Sequence, residues 1–184
     1  FLDPGRRDQH ARKVFKLTDC SPDVSQLQHQ VFKKSLYLLV KASPLLDIQQ
    51  GLREILHVKK VFVISVDNEC KELLFLAENN YQGKVEIEAV DLTPGGNVQH
   101  AFAFSPEEEK NARIQLGEPS AFLYEPNSAI LKSGAFKLIA QKFQLTKLAP
   151  NTHLYTSSEL VGSFPGRTFR IEVLDPDPKQ LKHL

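Results

Sequence analysis

The feature that most constrains the fold is an alternation of apolar runs and amphipathic segments over residues 1–93. Residues 36–43 form a nearly unbroken apolar run that becomes polar at its end, and residues 59–69 repeat this pattern. Residues 1–3 resemble the end of another such strand, and amphipathic helices are predicted between the strands. This order predicts an α/β unit with a mostly parallel sheet covered by helices.

Two later segments complete the predicted sheet. Residues 68–80 fit either a helix capped by Asn68 or a strand, and we predict the helix because Leu73, Leu74 and Ala77 share a helical face. Strict alternation over residues 84–92 predicts a half-exposed edge strand. The turn-forming residues 93–97 mark the predicted boundary, so the expected domains are residues 1–93 and 94–184.

The remaining segments predict a small α+β domain of ferredoxin-like type. Their order is strand, helix, strand, helix, strand, strand, with one helix expected over residues 127–143. The helix after Ser105 has the clearest start, since Ser105 and Glu108 have the spacing of a capping box and Pro106 suits the first turn.

Composition narrows the class of protein. The chain has 184 residues, a net charge of +1 and a hydrophobic share of 41%, as in ordinary globular proteins. It contains no apolar run of the roughly 18 residues that a membrane helix needs, so no membrane contact is expected. Cys20 and Cys70 are isolated, so a reducing, cytoplasmic location is expected and no metal site is predicted. The start at Phe1 and the lack of methionine suggest a piece of a longer protein.

Polar residues follow each of the three predicted parallel strands. In an open α/β sheet, the carboxyl ends of parallel strands share one edge, and ligands bind there. We therefore expect the residues after the three strands to line one rim: Asp3, Pro4, Gly5, Arg6 and Arg7, then Lys41 and Ser43, then Asn68 and Glu69.

Several segments together resemble a bacterial family of class I S-adenosylmethionine-dependent methyltransferases with a carboxyl-terminal THUMP-like domain. These segments are FLDPGRRD, DCSPDV, VKASPLLD, NECKELLFL, LYEPNSAILKSG and LYTSSELV. The family motif after the fourth strand reads Asp-Pro-Ala-Arg-Arg, and Gly5 replaces its alanine here. The resemblance implies that residues 1–93 are the carboxyl-terminal half of a Rossmann-like methyltransferase sheet, with residues 84–92 as its antiparallel last strand. It also implies that residues 94–184 are a ferredoxin-like, THUMP-like domain, truncated at its carboxyl end.

The resemblance and the chemistry of the side chains together suggest a role for each candidate residue. Asp3 and Pro4 would be catalytic, with Asp3 orienting an exocyclic amine for methylation and Pro4 shaping the turn. The predicted substrate-binding residues are Arg6, Arg7, Lys41, Ser43, Asn68 and Glu69. The THUMP-like domain implies RNA, either tRNA or rRNA, as the partner. Its predicted contacts are Lys132, Lys137, Arg167, Phe169 and Arg170. Simple helix capping by Asn68 and a solvated helix face for the lysines remain alternatives.

The cofactor site is expected to lie outside this chain. The glycine-rich loop and the acid that hold S-adenosylmethionine in this family would precede Phe1. The chain alone is therefore expected neither to bind the cofactor nor to methylate, although the parent protein would do both. A sheet edge left open there predicts a possible homodimer. The alternative function is a non-catalytic module that binds RNA or protein.

Overall fold

The computed structural model describes residues 1–5, 17 and 20–174. Contacts divide the chain into two units. The first contains Phe1–Lys110 and Ser128–Ala135, and the second contains Asn111–Asn127 and the described part of Phe136–Leu184. The division therefore does not follow the predicted boundary at residue 93, because the first unit continues past it and includes a later segment.

The first unit is built on a mixed sheet of five strands in the order β1-β3-β2-β4-β5. The strands are β1 Tyr37–Ala42, β2 Val58–Val66, β3 Glu69–Glu78, β4 Glu86–Leu92 and β5 Val98–Phe104. Strand β3 is antiparallel to β1 and β2, β4 is parallel to β2, and β5 is antiparallel to β4. Leu2 adds a parallel bridge to Val40 on the free side of β1. The sheet is thus α/β as expected but less parallel than predicted.

Four short helices belong to the first unit: α1 Val24–Phe32, α2 Ile48–Glu54, α3 Pro106–Asn111 and α4 Ser128–Ser133. Helix α1 is capped by Asp23, whose Oδ1 accepts a 2.8 Å hydrogen bond from the Ser25 amide. The predicted capping box of α3 is present: Glu108 accepts from the Ser105 amide at 2.6 Å, and the Glu108 amide donates to Ser105 Oγ at 3.2 Å.

The predicted helix over residues 68–80 is wrong. Asp67 and Asn68 both have positive φ, 51° and 58°, as a two-residue type I′ hairpin turn requires. The turn joins β2 directly to β3, whose alternate side chains Leu73, Phe75 and Ala77 are fully buried. The alternating burial of these side chains is that of a strand, although Leu73, Leu74 and Ala77 also have the spacing of a helical face.

The predicted edge strand is also misplaced, because β4 lies between β2 and β5. It is parallel to β2, so it is not the antiparallel last strand either. Residues 93–97, predicted as a boundary, form the turn between β4 and β5 instead. The Thr93 amide donates to the Asn97 carbonyl at 2.9 Å, and the Gly96 amide donates to the Thr93 carbonyl at 2.9 Å.

The second unit contains an antiparallel sheet of four strands in the order β7-β8-β6-β9. Its elements are β6 Phe122–Pro126, α5 Leu138–Lys142, β7 Thr146–Lys147, β8 Tyr155–Ser157 and β9 Gly166–Arg170. The single helix predicted over residues 127–143 is in fact α4 and α5, separated by Gly134 at a φ of 85°. A residue at this φ ends a right-handed helix, and glycine adopts it without steric cost.

His153 is expected to make the stability of the second unit depend on pH. Its ring stacks on Phe136, with centroids 3.9 Å apart, and partial burial lowers its pKa, helped by the Lys147 charge. The neutral form is favoured in the folded state, so its contribution to stability is full above about pH 6.5 and is lost as the pH falls through the lowered pKa. NMR titration of the ring should give a pKa below that ordinary value, and Phe136→Ala should raise it. A wild-type pKa at or above 6.5 would contradict this prediction.

Candidate functional site

The carboxyl ends of three strand segments lie at one edge of the first sheet. Leu2 runs parallel to β1, and β1 and β2 run in the same direction because both are antiparallel to β3. We call the candidate residues at this edge the rim: Asp3, Pro4, Lys41, Ser43, Asn68 and Glu69. Arg6 and Arg7 lie outside the described residues.

Backbone hydrogen bonds hold the Asp3–Pro4 turn against β1. The Leu2 amide donates to the Leu39 carbonyl at 2.8 Å, and the Lys41 amide donates to the Leu2 carbonyl at 2.9 Å. Beyond the turn, the Gly5 amide donates to the Ser21 carbonyl at 2.9 Å. Pro4 is buried, whereas the Asp3 side chain is 44% exposed. The turn is therefore anchored on both sides and presents a carboxylate.

Lys41 and Asp3 form an ion pair on the rim. Their Nζ and Oδ2 atoms are 2.6 Å apart, and the Lys41 side chain is only 27% exposed. The pair follows from the register, since the Leu2–Val40 bridge makes the next residue of each strand neighbours. The structure thus brings together two of the predicted rim residues.

Ser43 has a local role in the turn after β1. Its Oγ accepts a 3.2 Å hydrogen bond from the Leu45 amide, and its carbonyl accepts one of 3.0 Å from Leu46. These bonds shape the turn that leads to α2. Ser43 lies at the predicted edge, and its hydroxyl oxygen accepts a hydrogen bond from the backbone.

Asn68 and Glu69 are on the same edge but apart from Asp3. Strand β3 lies between β1 and β2, which separates these two strands by two strand spacings, about 9–10 Å. Asn68 Oδ1 accepts a 2.8 Å hydrogen bond from the Ser128 amide, so it caps α4 and not the helix predicted to follow it. Glu69 pairs with Lys71 at 2.5 Å.

The predicted RNA contacts are distributed over both units. Lys132 is on α4 in the first unit, and its Nζ donates to the Leu46 carbonyl at 2.8 Å. Lys137 directly precedes α5 in the second unit. These two lysines are therefore on or next to helices, whereas the other three candidates are on a strand.

Arg167, Phe169 and Arg170 lie on β9, the outer strand of the second sheet. Arg167 pairs with Glu125, and its guanidinium carbon is 5.8 Å from the centroid of the Phe169 ring. The Phe169 side chain is 44% exposed. This strand presents a cation beside an exposed aromatic ring, which is the combination that suits stacking with bases.

A buried polar row across three strands was missed by the sequence analysis. Ser65, Asp91 and His100 are register partners on β2, β4 and β5. Ser65 Oγ donates to Asp91 Oδ1 at 2.5 Å, and His100 Nδ1 lies 3.9 Å from Asp91 Oδ2. The three positions are far apart in sequence, so only the strand register reveals them.

Metal-binding clusters and helices that could span a membrane are not found in the described part of the chain. No group of three histidine, cysteine or acidic side chains there is arranged to hold a metal ion. No helix among these residues is long and apolar enough to cross a membrane.

The sequence contains no GxGxxG segment. The rim presents an ion pair between a carboxylate and a lysine.

Comparisons with known proteins agree with parts of this picture. A family model for a ferredoxin-like domain matches residues 122–165, which confirms the ferredoxin-like class predicted for this region. A crystal structure from Porphyromonas gingivalis W83, named "putative methyltransferase", is 36% identical with a TM-score of 0.87. The match covers 98% of this chain and 46% of that chain. A search of curated proteins found no match.

The chain therefore has, over nearly its whole length, the fold of part of that solved relative. It spans less than half the length of the solved relative. The ferredoxin-like match supports the class expected from the sequence for residues 122–165.

Proposed function

We propose that this chain is the acceptor-binding, carboxyl-terminal part of a class I S-adenosylmethionine-dependent methyltransferase that acts on RNA. The observation that carries the proposal is the Asp3–Pro4 turn, anchored next to β1 in a chain that is 36% identical to the solved relative. In this proposal, the second unit is the THUMP-like RNA-binding domain.

The strand order supports the Rossmann-like part of the proposal. The expected half-sheet ends in one antiparallel strand, and β3 is antiparallel to both of its neighbours. Strand β3 thus takes the place that residues 84–92 were predicted to fill. Strands β4 and β5 then extend the sheet beyond this half.

The chemistry proposed for Asp3 is orientation of the acceptor. A carboxylate accepts a hydrogen bond from an exocyclic N–H and thereby directs the nitrogen lone pair. Bound S-adenosylmethionine would supply the methyl group from residues outside this chain. The residues of this chain hold the acceptor and keep its nitrogen aligned.

RNA is proposed as the partner because of β9. Arg167 and Phe169 occupy the same side of an exposed outer strand, and Arg170 lies next to them. Arginines bind phosphate with forked donors, and an exposed ring stacks with an unpaired base. Lys132 supports this role less, since its ammonium group is bonded to the Leu46 carbonyl.

Asp3→Ala is expected to reduce methyl transfer about 100-fold, because an unoriented acceptor reacts far more slowly. The assay uses the longest natural protein that contains this chain and RNA from cells lacking its gene, with labelled S-adenosylmethionine. Asp47→Ala is the matched control, since that aspartate only caps α2 through Gln50. It should leave the rate unchanged.

The outcomes separate the two candidate functions. Labelling of RNA by the wild type and its loss in Asp3→Ala supports the methyltransferase. Binding of RNA or protein without any labelling supports the non-catalytic module. Equal labelling by the wild type and Asp3→Ala removes Asp3 from the mechanism.

A further inference from the structure

We propose that Lys41 is a positioning residue for Asp3: its ammonium group holds one carboxylate oxygen and thereby orients the other toward the acceptor. The inference rests on the proposed function. It assigns to Lys41 a different task from the substrate contact predicted by sequence.

The backbone fixes how the two side chains approach. The two hydrogen bonds that Leu2 makes, with Leu39 and with Lys41, lock the register of the short parallel pair. Asp3 and Lys41 are the next residues along, so their side chains emerge on the same side of the sheet. The 2.6 Å ion pair is therefore built into the strand pairing.

The ion pair uses one oxygen of the carboxylate. Lys41 Nζ contacts Asp3 Oδ2, and the described residues give Asp3 no other ion-pair or hydrogen-bond partner. A carboxylate held at Oδ2 cannot rotate freely, so Oδ1 keeps a defined direction. The Asp3 side chain as a whole is 44% exposed.

A matched control is available in the same sheet. Lys59 on β2 pairs with Glu78 at 2.8 Å, a similar ion pair, but at the amino end of its strand and away from the rim. Loss of either lysine charge perturbs the sheet in a comparable way. Only Lys41 touches the proposed acceptor-binding carboxylate.

Kinetics of the longest natural protein test the inference. Lys41→Met is expected to lower kcat about tenfold, because Asp3 loses its fixed direction, with the KM for S-adenosylmethionine unchanged. Lys41→Arg should restore most of the rate, and Lys59→Met should behave as the wild type. In an Asp3→Ala background, Lys41→Met should cause no further loss. An unchanged kcat in Lys41→Met overturns the proposal.

A second readout does not depend on activity. The carboxyl 13C resonance of Asp3, measured by NMR in this 184-residue chain, should move in Lys41→Met and stay in place in Lys59→Met. If the wild type methylates nothing, the proposed function fails, and this movement alone still supports the positioning role. An Asp3 resonance that is the same in Lys41→Met and the wild type overturns that role, whatever the activity.

Discussion

Replacing Phe75 with alanine is expected to lower the free energy of unfolding of this chain by about 3–5 kcal/mol. Phe75 is fully buried at the centre of β3, where it is the register partner of Val40 on one side and Val61 on the other. On the helix side, a Cβ at Gly51 of α2 would lie 2.4 Å from the Phe75 ring. The ring therefore fills the space between the sheet and α2, and its removal leaves a cavity that neither can close.

Denaturant unfolding monitored by circular dichroism measures this loss. Phe62→Ala is the matched control, because Phe62 sits on the neighbouring strand β2 but faces the half-buried side of the sheet. Phe62→Ala should lower the free energy of unfolding by clearly less than Phe75→Ala. Gly51→Ala should destabilise the wild type by about 1–3 kcal/mol and be nearly harmless beside Phe75→Ala, since the clash is with that ring. A loss below about 1 kcal/mol for Phe75→Ala would contradict this account of the core.

The same strand explains the largest error of the sequence analysis. Leu73, Leu74 and Ala77 fit one face of a helix, whereas Leu73, Phe75 and Ala77 fit one face of a strand. Both periods are present, and short apolar runs cannot be assigned by periodicity alone. The decisive residues are Asp67 and Asn68, whose positive φ values make the hairpin. Asp and Asn tolerate this conformation better than most residues, which was an available signal.

The division into units was less accessible from sequence. Residues 93–97 are rich in proline and glycine, as both linkers and hairpin turns are. They form a turn because β5 pairs with β4 along its whole length. The return of α4 to the first unit depends on contacts with sheet strands that are distant in sequence, and no local pattern reports such contacts.

The rim was predictable in part. The edge of the sheet and the closeness of Asp3 and Lys41 follow from parallel strands, and the structure has both. The insertion of β3 was not foreseen, so Asn68 and Glu69 were expected nearer to Asp3 than the strand order allows. The strand order decides which strand ends are neighbours. Because residues 69–78 form a strand between β1 and β2, Asn68 and Glu69 do not lie beside Asp3.

Tyr124→Ala should destabilise the second unit by about 3–5 kcal/mol. Tyr124 is fully buried on β6, and its ring packs edge to face with Phe164 at 5.1 Å. Its hydroxyl accepts from the Val161 amide at 2.8 Å, donates to the Glu159 carbonyl at 3.2 Å and lies 3.0 Å from Ser157 Oγ. The Tyr124 side chain therefore fills the core of the second unit and holds the segment between β8 and β9 through hydrogen bonds.

Tyr124→Phe separates these two contributions. It keeps the ring and removes the hydroxyl, so the Val161 amide loses its acceptor, and the expected cost is about 1–3 kcal/mol. Hydrogen exchange of the Val161 amide should become faster in Tyr124→Phe. Tyr155→Phe is the matched control, because the hydroxyl of this equally buried tyrosine donates to the Phe136 carbonyl at 2.7 Å and does not contact Val161. If Val161 exchanges at the wild-type rate in Tyr124→Phe, the hydroxyl does not hold this segment. The loss in Tyr124→Ala would then come from the ring alone.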